Sequence, residues 1–209
     1  EGKMNLPNKI TLLRIILIPF VIFFYLASSF IPGAKLIATI LFIVAVLTDF
    51  VDGKIARGQN LVTVLGTFLD SIADKMLVST GLLLVVCDGT ILAPIGAISA
   101  IIVICREFLV SALRQLGASK NVIIAADMWG KVKATVQFVT VAMFMFVAYL
   151  HSISIFDGWF AVTLNIVSYI GLALTVLLTI MSCVHYCLAN KGLFREDAPN
   201  KKIEQGNEE

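Results

Sequence analysis

Asp49-Phe50-Val51-Asp52-Gly53-Lys54-Ile55-Ala56-Arg57, then eight residues, then Gly66-Thr67-Phe68-Leu69-Asp70-Ser71-Ile72-Ala73-Asp74: this stretch sets four carboxylates in otherwise apolar sequence. On a helix, Asp49 and Asp52 are three apart and Asp70 and Asp74 four apart, so each pair shares a face. Two such helices joined by a short turn bring all four together. An acid inside a membrane costs roughly 2.5–3.5 kcal/mol on insertion scales, so it signals function by default. Two like charges about 4 Å apart also repel by about 4 kcal/mol at an effective dielectric of 20. Such a cluster calls for divalent cations, and hard oxygen donors favour Mg²⁺, Mn²⁺ or Ca²⁺.

The surrounding sequence supplies the membrane. Of 209 residues, 59% are hydrophobic and only 14% charged, and the mean hydropathy is +0.95. That composition excludes an ordinary soluble domain. The net charge of +2 gives no reason to expect a nucleic-acid partner. Six apolar spans run roughly over 10–30, 34–57, 62–87, 91–116, 131–150 and 159–188, each reaching the roughly 20 residues a hydrocarbon core requires. The expected fold is all-α and integral to the membrane, with six transmembrane helices. Residues 1–190 form one membrane domain, 191–209 a polar tail, and 1–9 a short interfacial segment. Lys3, Lys9, Arg14, Lys54, Arg57, Arg114, Lys120, Lys131, Lys133 and the basic tail gather on one side; Lys35, Asp88, His151 and Asp157 fall on the other. The positive-inside rule then places both termini in the cytoplasm. The first apolar run is too long for a signal peptide, and none is expected.

Individual positions leave choices open. Asn8, Thr11 and Arg14 share a face, serving either as a capped helix start with a snorkelling Arg or as a face turned to a bound headgroup. Pro19 predicts a kink in the first span. Gly53 and Ala56 suit the close approach of a ligand or of another helix. Gly58-Gln59-Asn60 reads as a turn. Asp49 lies about 12 Å before Arg57 along a helix, so the acids line a cavity opening to the cytoplasm. Lys75 either snorkels or balances the acids. Arg106 and Glu107 are adjacent and do not face each other on a helix. Glu107 and Arg114, seven apart, form either an ion pair or part of an anion site. Cys183, His185 and Cys187 resemble a metal cluster only superficially, because His185 points away from the other two.

The acidic stretch resembles the signature of the CDP-alcohol phosphotransferase family, D-x-x-D-G-x-x-A-R, eight residues, G-x-x-x-D-x-x-x-D. Every fixed position is filled, by Asp49, Asp52, Gly53, Ala56, Arg57, Gly66, Asp70 and Asp74. The six-span layout is similar too. The resemblance implies transfer of a substituted phosphoryl group from a CDP-linked lipid to an alcohol, releasing CMP. It implies that Asp49, Asp52, Asp70 and Asp74 hold two ions, Mg²⁺ or Mn²⁺, and that Asp74 also takes the proton of the acceptor hydroxyl. Gly53, Ala56, Arg57 and Gly66 match CDP-contacting positions, with Thr63, Asn8 and Thr11 as weaker candidates. A homodimer in a bacterial-type plasma membrane, with a cytoplasmic active site, is also implied.

Within the family, the closer likeness is to the branch that uses CDP-diacylglycerol and glycerol 3-phosphate. It rests on Arg106-Glu107-Phe108, Arg114, Gly130-Lys131-Val132-Lys133, Thr135, Gln137 and the Asn5–Arg14 segment. Arg106, Arg114, Lys131 and Lys133 are the candidates for gripping the acceptor's phosphate. Two alternatives stand beside it. One is a sibling enzyme with another acceptor, making cardiolipin, phosphatidylserine or a phosphatidylinositol phosphate. The other is a cation transporter or channel using the same acids, although an ion path has no need of Gly53, Ala56, Arg57 and Gly66.

Overall fold

A computed structural model describes residues 6–59, 64–119, 128–153 and 158–189; side chains at 6–9, 49–59, 64–65, 67, 116, 118–119, 128–129 and 189 lie outside the description. It contains six long helices: α1 (Leu6–Leu26), α2 (Ala34–Gln59), α3 (Val64–Cys87), α4 (Ala93–Ser119), α5 (Met128–Ser152) and α6 (Trp159–Ala189), with a 3-10 turn at Ala27–Ser29. They lie where the apolar runs place them. From Leu6 onward the N-terminal segment is helical and continuous with α1, which runs through Pro19, as a membrane helix tolerates when its neighbours support the interrupted ladder. One local expectation changes: Gly58 and Gln59, expected in a turn, belong to α2.

Among the described residues, four stretches are long and apolar enough to cross a membrane: Ile10–Ser29, Ala93–Gln115, Gly130–Ser152 and Trp159–Leu188. The chain is a multi-pass membrane protein. The two remaining helices are the ones that carry the acids. Among the described residues the apolar run of α2 covers Ala34–Thr48, and α3 carries Asp70, Asp74 and Lys75.

Helix α3 sits centrally, packed on α1, α2, α4 and α5, while α6 closes the bundle against α4 and α5. Val21, Phe42, Leu77, Val141, Phe144 and Met145 fill the core. Gly81 keeps α3 close to its neighbours, since a Cβ there would lie 2.7 Å from Val141 and 2.8 Å from Phe42. Large apolar side chains such as Phe20, Phe23, Ile98, Ile101, Ile170 and Leu177 face outward, as lipid contact requires.

A polar clasp ties the end of the bundle remote from the acidic stretch. Lys35, at the start of α2, donates to both carboxylate oxygens of Asp88, at 2.9 and 3.0 Å. Thr90 donates to the same carboxylate at 2.8 Å and Tyr25 at 3.4 Å. The turns on either side are shaped by Gly33 and Gly89, whose φ values of 79° and 77° suit glycine alone.

Candidate active site

The four acids come from two consecutive helices. Asp49 and Asp52 lie on α2 and Asp70 and Asp74 on α3. Side chains of Asp49, Asp52, Gly53, Ala56 and Arg57 lie outside the description, and Thr63 lies outside it entirely. The side chain of Asn8 is likewise outside, as is the whole 191–209 tail. What can be described is the α3 half of the site and the elements packed on it.

Arg14 is fully buried on α1 and donates to Asp70 Oδ1 at 3.2 Å. It therefore does not snorkel. Thr11, one turn earlier, is buried beside it, so this face of α1 turns toward the acids. The guanidinium partly neutralises a carboxylate that would otherwise repel its neighbours. Asp70 is still 49% exposed at its side chain. Gly66 lies one turn before Asp70 on the same helix.

Asp74 lines a small cavity with Lys75, Val78, Glu107, Ala134, Gln137 and Phe138. Three helices meet there: α3, α4 and α5. Lys75 does not leave for the surface. Its ammonium donates to the carbonyl and hydroxyl of Ser71, at 2.7 and 2.6 Å, which keeps its charge beside the acids.

Glu107 is the hub of the cationic side. Its Oε1 accepts from Lys133 of α5 and from Arg106 Nη1 at 3.3 Å. The expectation that neighbours on a helix do not meet is corrected here, because both side chains are long enough to bend toward each other. Arg106 Nη2 also donates to Ser182 Oγ at 2.6 Å, tying α4 to α6. Lys133 is only 1% exposed. Arg114 does not pair with Glu107 among the described residues. Its guanidinium stands over the Tyr186 ring, 5.9 Å from the centroid. Lys131 is exposed. Of the four basic candidates, then, two converge on one carboxylate and two lie outside that cluster.

Residue spacing missed Glu107 as hub and Arg14 as partner of an acid. Only one signal pointed to either: a charged residue in a helix too apolar to spare one. The donor set suits hard cations. Asp70 and Asp74 are oxygen donors one turn apart, with no thiol or imidazole among the residues described around them. Among the described residues no three metal-ligating side chains gather, since the other two acids of the stretch fall outside.

The family model described as CDP-alcohol phosphatidyltransferase matches residues 4–181. Several similar relatives carry the name CDP-diacylglycerol–glycerol-3-phosphate 3-phosphatidyltransferase. That of Bacillus subtilis is 46% identical over 148 residues, 66% of this chain and 75% of the relative. That of Haemophilus influenzae is 35% identical over 195 residues, covering 91% and 95%. That of Rickettsia felis is 34% identical over 191 residues, covering 91% and 97%.

Proposed function

The chain belongs to the CDP-alcohol phosphatidyltransferase family, and from that premise we propose that it moves the phosphatidyl group of CDP-diacylglycerol onto glycerol 3-phosphate. The products are phosphatidylglycerophosphate and CMP. The names of its relatives support this donor and acceptor. The observation that carries it is the cavity where Asp74 and Glu107 meet, with Lys133 and Arg106 on the Glu107 carboxylate. A candidate base lines that space, and two phosphate-seeking cations are bonded to the carboxylate on its wall.

In this reading Asp74 accepts the proton of the acceptor hydroxyl. The hydroxyl oxygen bonds to the phosphatidyl phosphorus as the bond to CMP breaks. Arg106 and Lys133 hold the acceptor's phosphate, with Arg114 and Lys131 at its approach. Gly53, Ala56, Arg57 and Gly66, with Thr63, Asn8 and Thr11, bind the CDP moiety. Asp49, Asp52, Asp70 and Asp74 would hold two ions, Mg²⁺ or Mn²⁺. When bound, these supply charge stabilisation for the attacking and leaving oxygens of an in-line displacement.

All six helices span the membrane in this reading, with residues 1–190 as one domain. Both termini and the site face the cytoplasm, as the basic residues direct. The protein works as a homodimer.

The test mixes detergent-solubilised protein with CDP-diacylglycerol and one acceptor at a time. CMP should appear with glycerol 3-phosphate far faster than with glycerol, serine or inositol. EDTA should stop the reaction, and Mg²⁺ or Mn²⁺ should restore it. A better rate with another acceptor would reassign the chain to a sibling activity. Full turnover in metal-free protein would remove the ions from the scheme.

A further inference from the structure

We propose that Glu107 is a resident stand-in for the acceptor's phosphate. In the acceptor-free protein its carboxylate holds the two cations that the phosphate engages during turnover. This rests on the acceptor-site reading above and adds a residue to it that selects for dianionic acceptors.

Lys133 is 1% exposed, and its ammonium is bonded to Glu107 Oε1. It meets an incoming phosphate only where Glu107 releases or shares it. Arg106 uses Nη1 on that same oxygen and Nη2 on Ser182. Its Nε is buried with no hydrogen-bond partner, although the side chain is only 10% exposed. One carboxylate oxygen thus serves two cations and leaves a buried donor of Arg106 unmatched.

Buried groups of this kind demand an acceptor. Glu107 borders the small cavity with Asp74, Lys75 and Gln137, so an acceptor brought up to the candidate base passes beside it. A phosphate dianion arriving there offers more charge and more acceptor oxygens than the singly charged carboxylate and can displace it. Glycerol, serine or inositol brings no anion that can do so, and the cations stay closed on Glu107. Glu107 also serves the empty state, because two buried cations without a counter-ion would strongly destabilise the bundle.

The test uses full-length protein in detergent without CDP-diacylglycerol, and follows thermal unfolding and calorimetric binding of glycerol 3-phosphate and of inorganic phosphate. Glu107→Gln should unfold at lower temperature than the native protein when no phosphate is present. It should gain more in Tm from either phosphate, because a ligand that binds only the folded state stabilises in proportion to its affinity. Its Kd for glycerol 3-phosphate should be about tenfold tighter or more, the scale of one charge-assisted contact. Glycerol should shift neither protein.

Should Glu107→Gln fail to fold, Glu107→Asp, which keeps the charge but is one methylene shorter, should bind glycerol 3-phosphate more tightly by a smaller factor. Weaker or unchanged binding in the folded variant, while Lys133→Met does weaken it, would overturn the stand-in role and leave Glu107 a structural clip. Unchanged binding in Lys133→Met would instead remove the acceptor-site reading, and this inference with it.

Discussion

Two of the buried charge clusters among the described residues are built on opposite plans. At one end Lys35 meets Asp88 one to one, and Thr90 and Tyr25 complete the carboxylate's bonds. At the other, a single oxygen of Glu107 serves both Lys133 and Arg106, and a buried N–H of Arg106 is left over. Each cluster ties helices together. The first has its carboxylate matched by donors and holds the fold; the second shares one oxygen between two cations, leaves a buried donor over and borders a cavity that Asp74 also lines. How the bonds are matched separates the two roles more clearly than burial does, since both clusters are largely buried.

The largest expected effect lies among the acids beside the open cluster. Asp74→Asn keeps the shape and removes the charge. If Asp74 is the base, kcat should fall by about 10²- to 10⁴-fold, the usual range for a positioned proton acceptor. The protein should stay folded in detergent, and without metal its Tm should hold or rise, because a like charge near Asp70 is gone. Steady-state kinetics and a thermal scan of the same preparation check both. A near-native rate would break the distinction, making Asp74 no more functional than Asp88.

Next come the two lysines, which set the clusters against each other directly. Lys133→Met should raise the KM for glycerol 3-phosphate by about 10- to 150-fold, the worth of one charge-assisted contact. It should also lower stability by about 3–5 kcal/mol, because Glu107 loses a buried partner. Lys35→Met should lower stability by only about 1.5–3 kcal/mol, because Asp88 is 27% exposed at its side chain and water can take over some of its bonds. Its kcat and both KM values, per folded molecule, should match the native protein. Denaturation curves with substrate-varied kinetics separate the outcomes. An acceptor defect in Lys35→Met would mean that the closed cluster reaches the site after all.

The six helices were legible in the sequence because a hydrocarbon core demands runs of about 20 apolar residues, and few charges interrupt them. The acid pairs were legible because helical spacing of three and four is local. The partners of those charges were not. Arg14 finds Asp70 across 56 positions and Arg106 finds Ser182 across 76. Such pairings depend on how helices turn about their axes, which periodicity constrains poorly when nearly every face is apolar. Glu107 was visible, but rigid helical spacing joined it to Arg114 and separated it from Arg106. The flexible side chain decided otherwise, because a buried carboxylate takes the cations within its reach. The clasp at Asp88 was foreshadowed only as Lys35 and Asp88 falling on the same side.

The smallest expected effect concerns Arg114, an exposed member of the basic set, and sharpens the boundary of the open cluster. Its guanidinium is held over Tyr186, on the face where Tyr186 packs with Val110 and Leu113. At an exposed position such a contact is worth about 0.5–1 kcal/mol. If the ring aims Arg114 at an incoming phosphate, Tyr186→Leu should raise the KM for glycerol 3-phosphate by about 2- to 5-fold. Leucine keeps an apolar side chain against Val110 and Leu113, so any change in Tm should be modest. Arg114→Ala should raise the same KM further and make a subsequent Tyr186→Leu change silent, because residues acting through one contact are not additive. The KM for CDP-diacylglycerol should stay put in all three proteins. Additive effects in the double variant would show that Tyr186 acts independently of Arg114, by packing, while an unchanged KM in Arg114→Ala would confine the acceptor's grip to the cations gathered on Glu107.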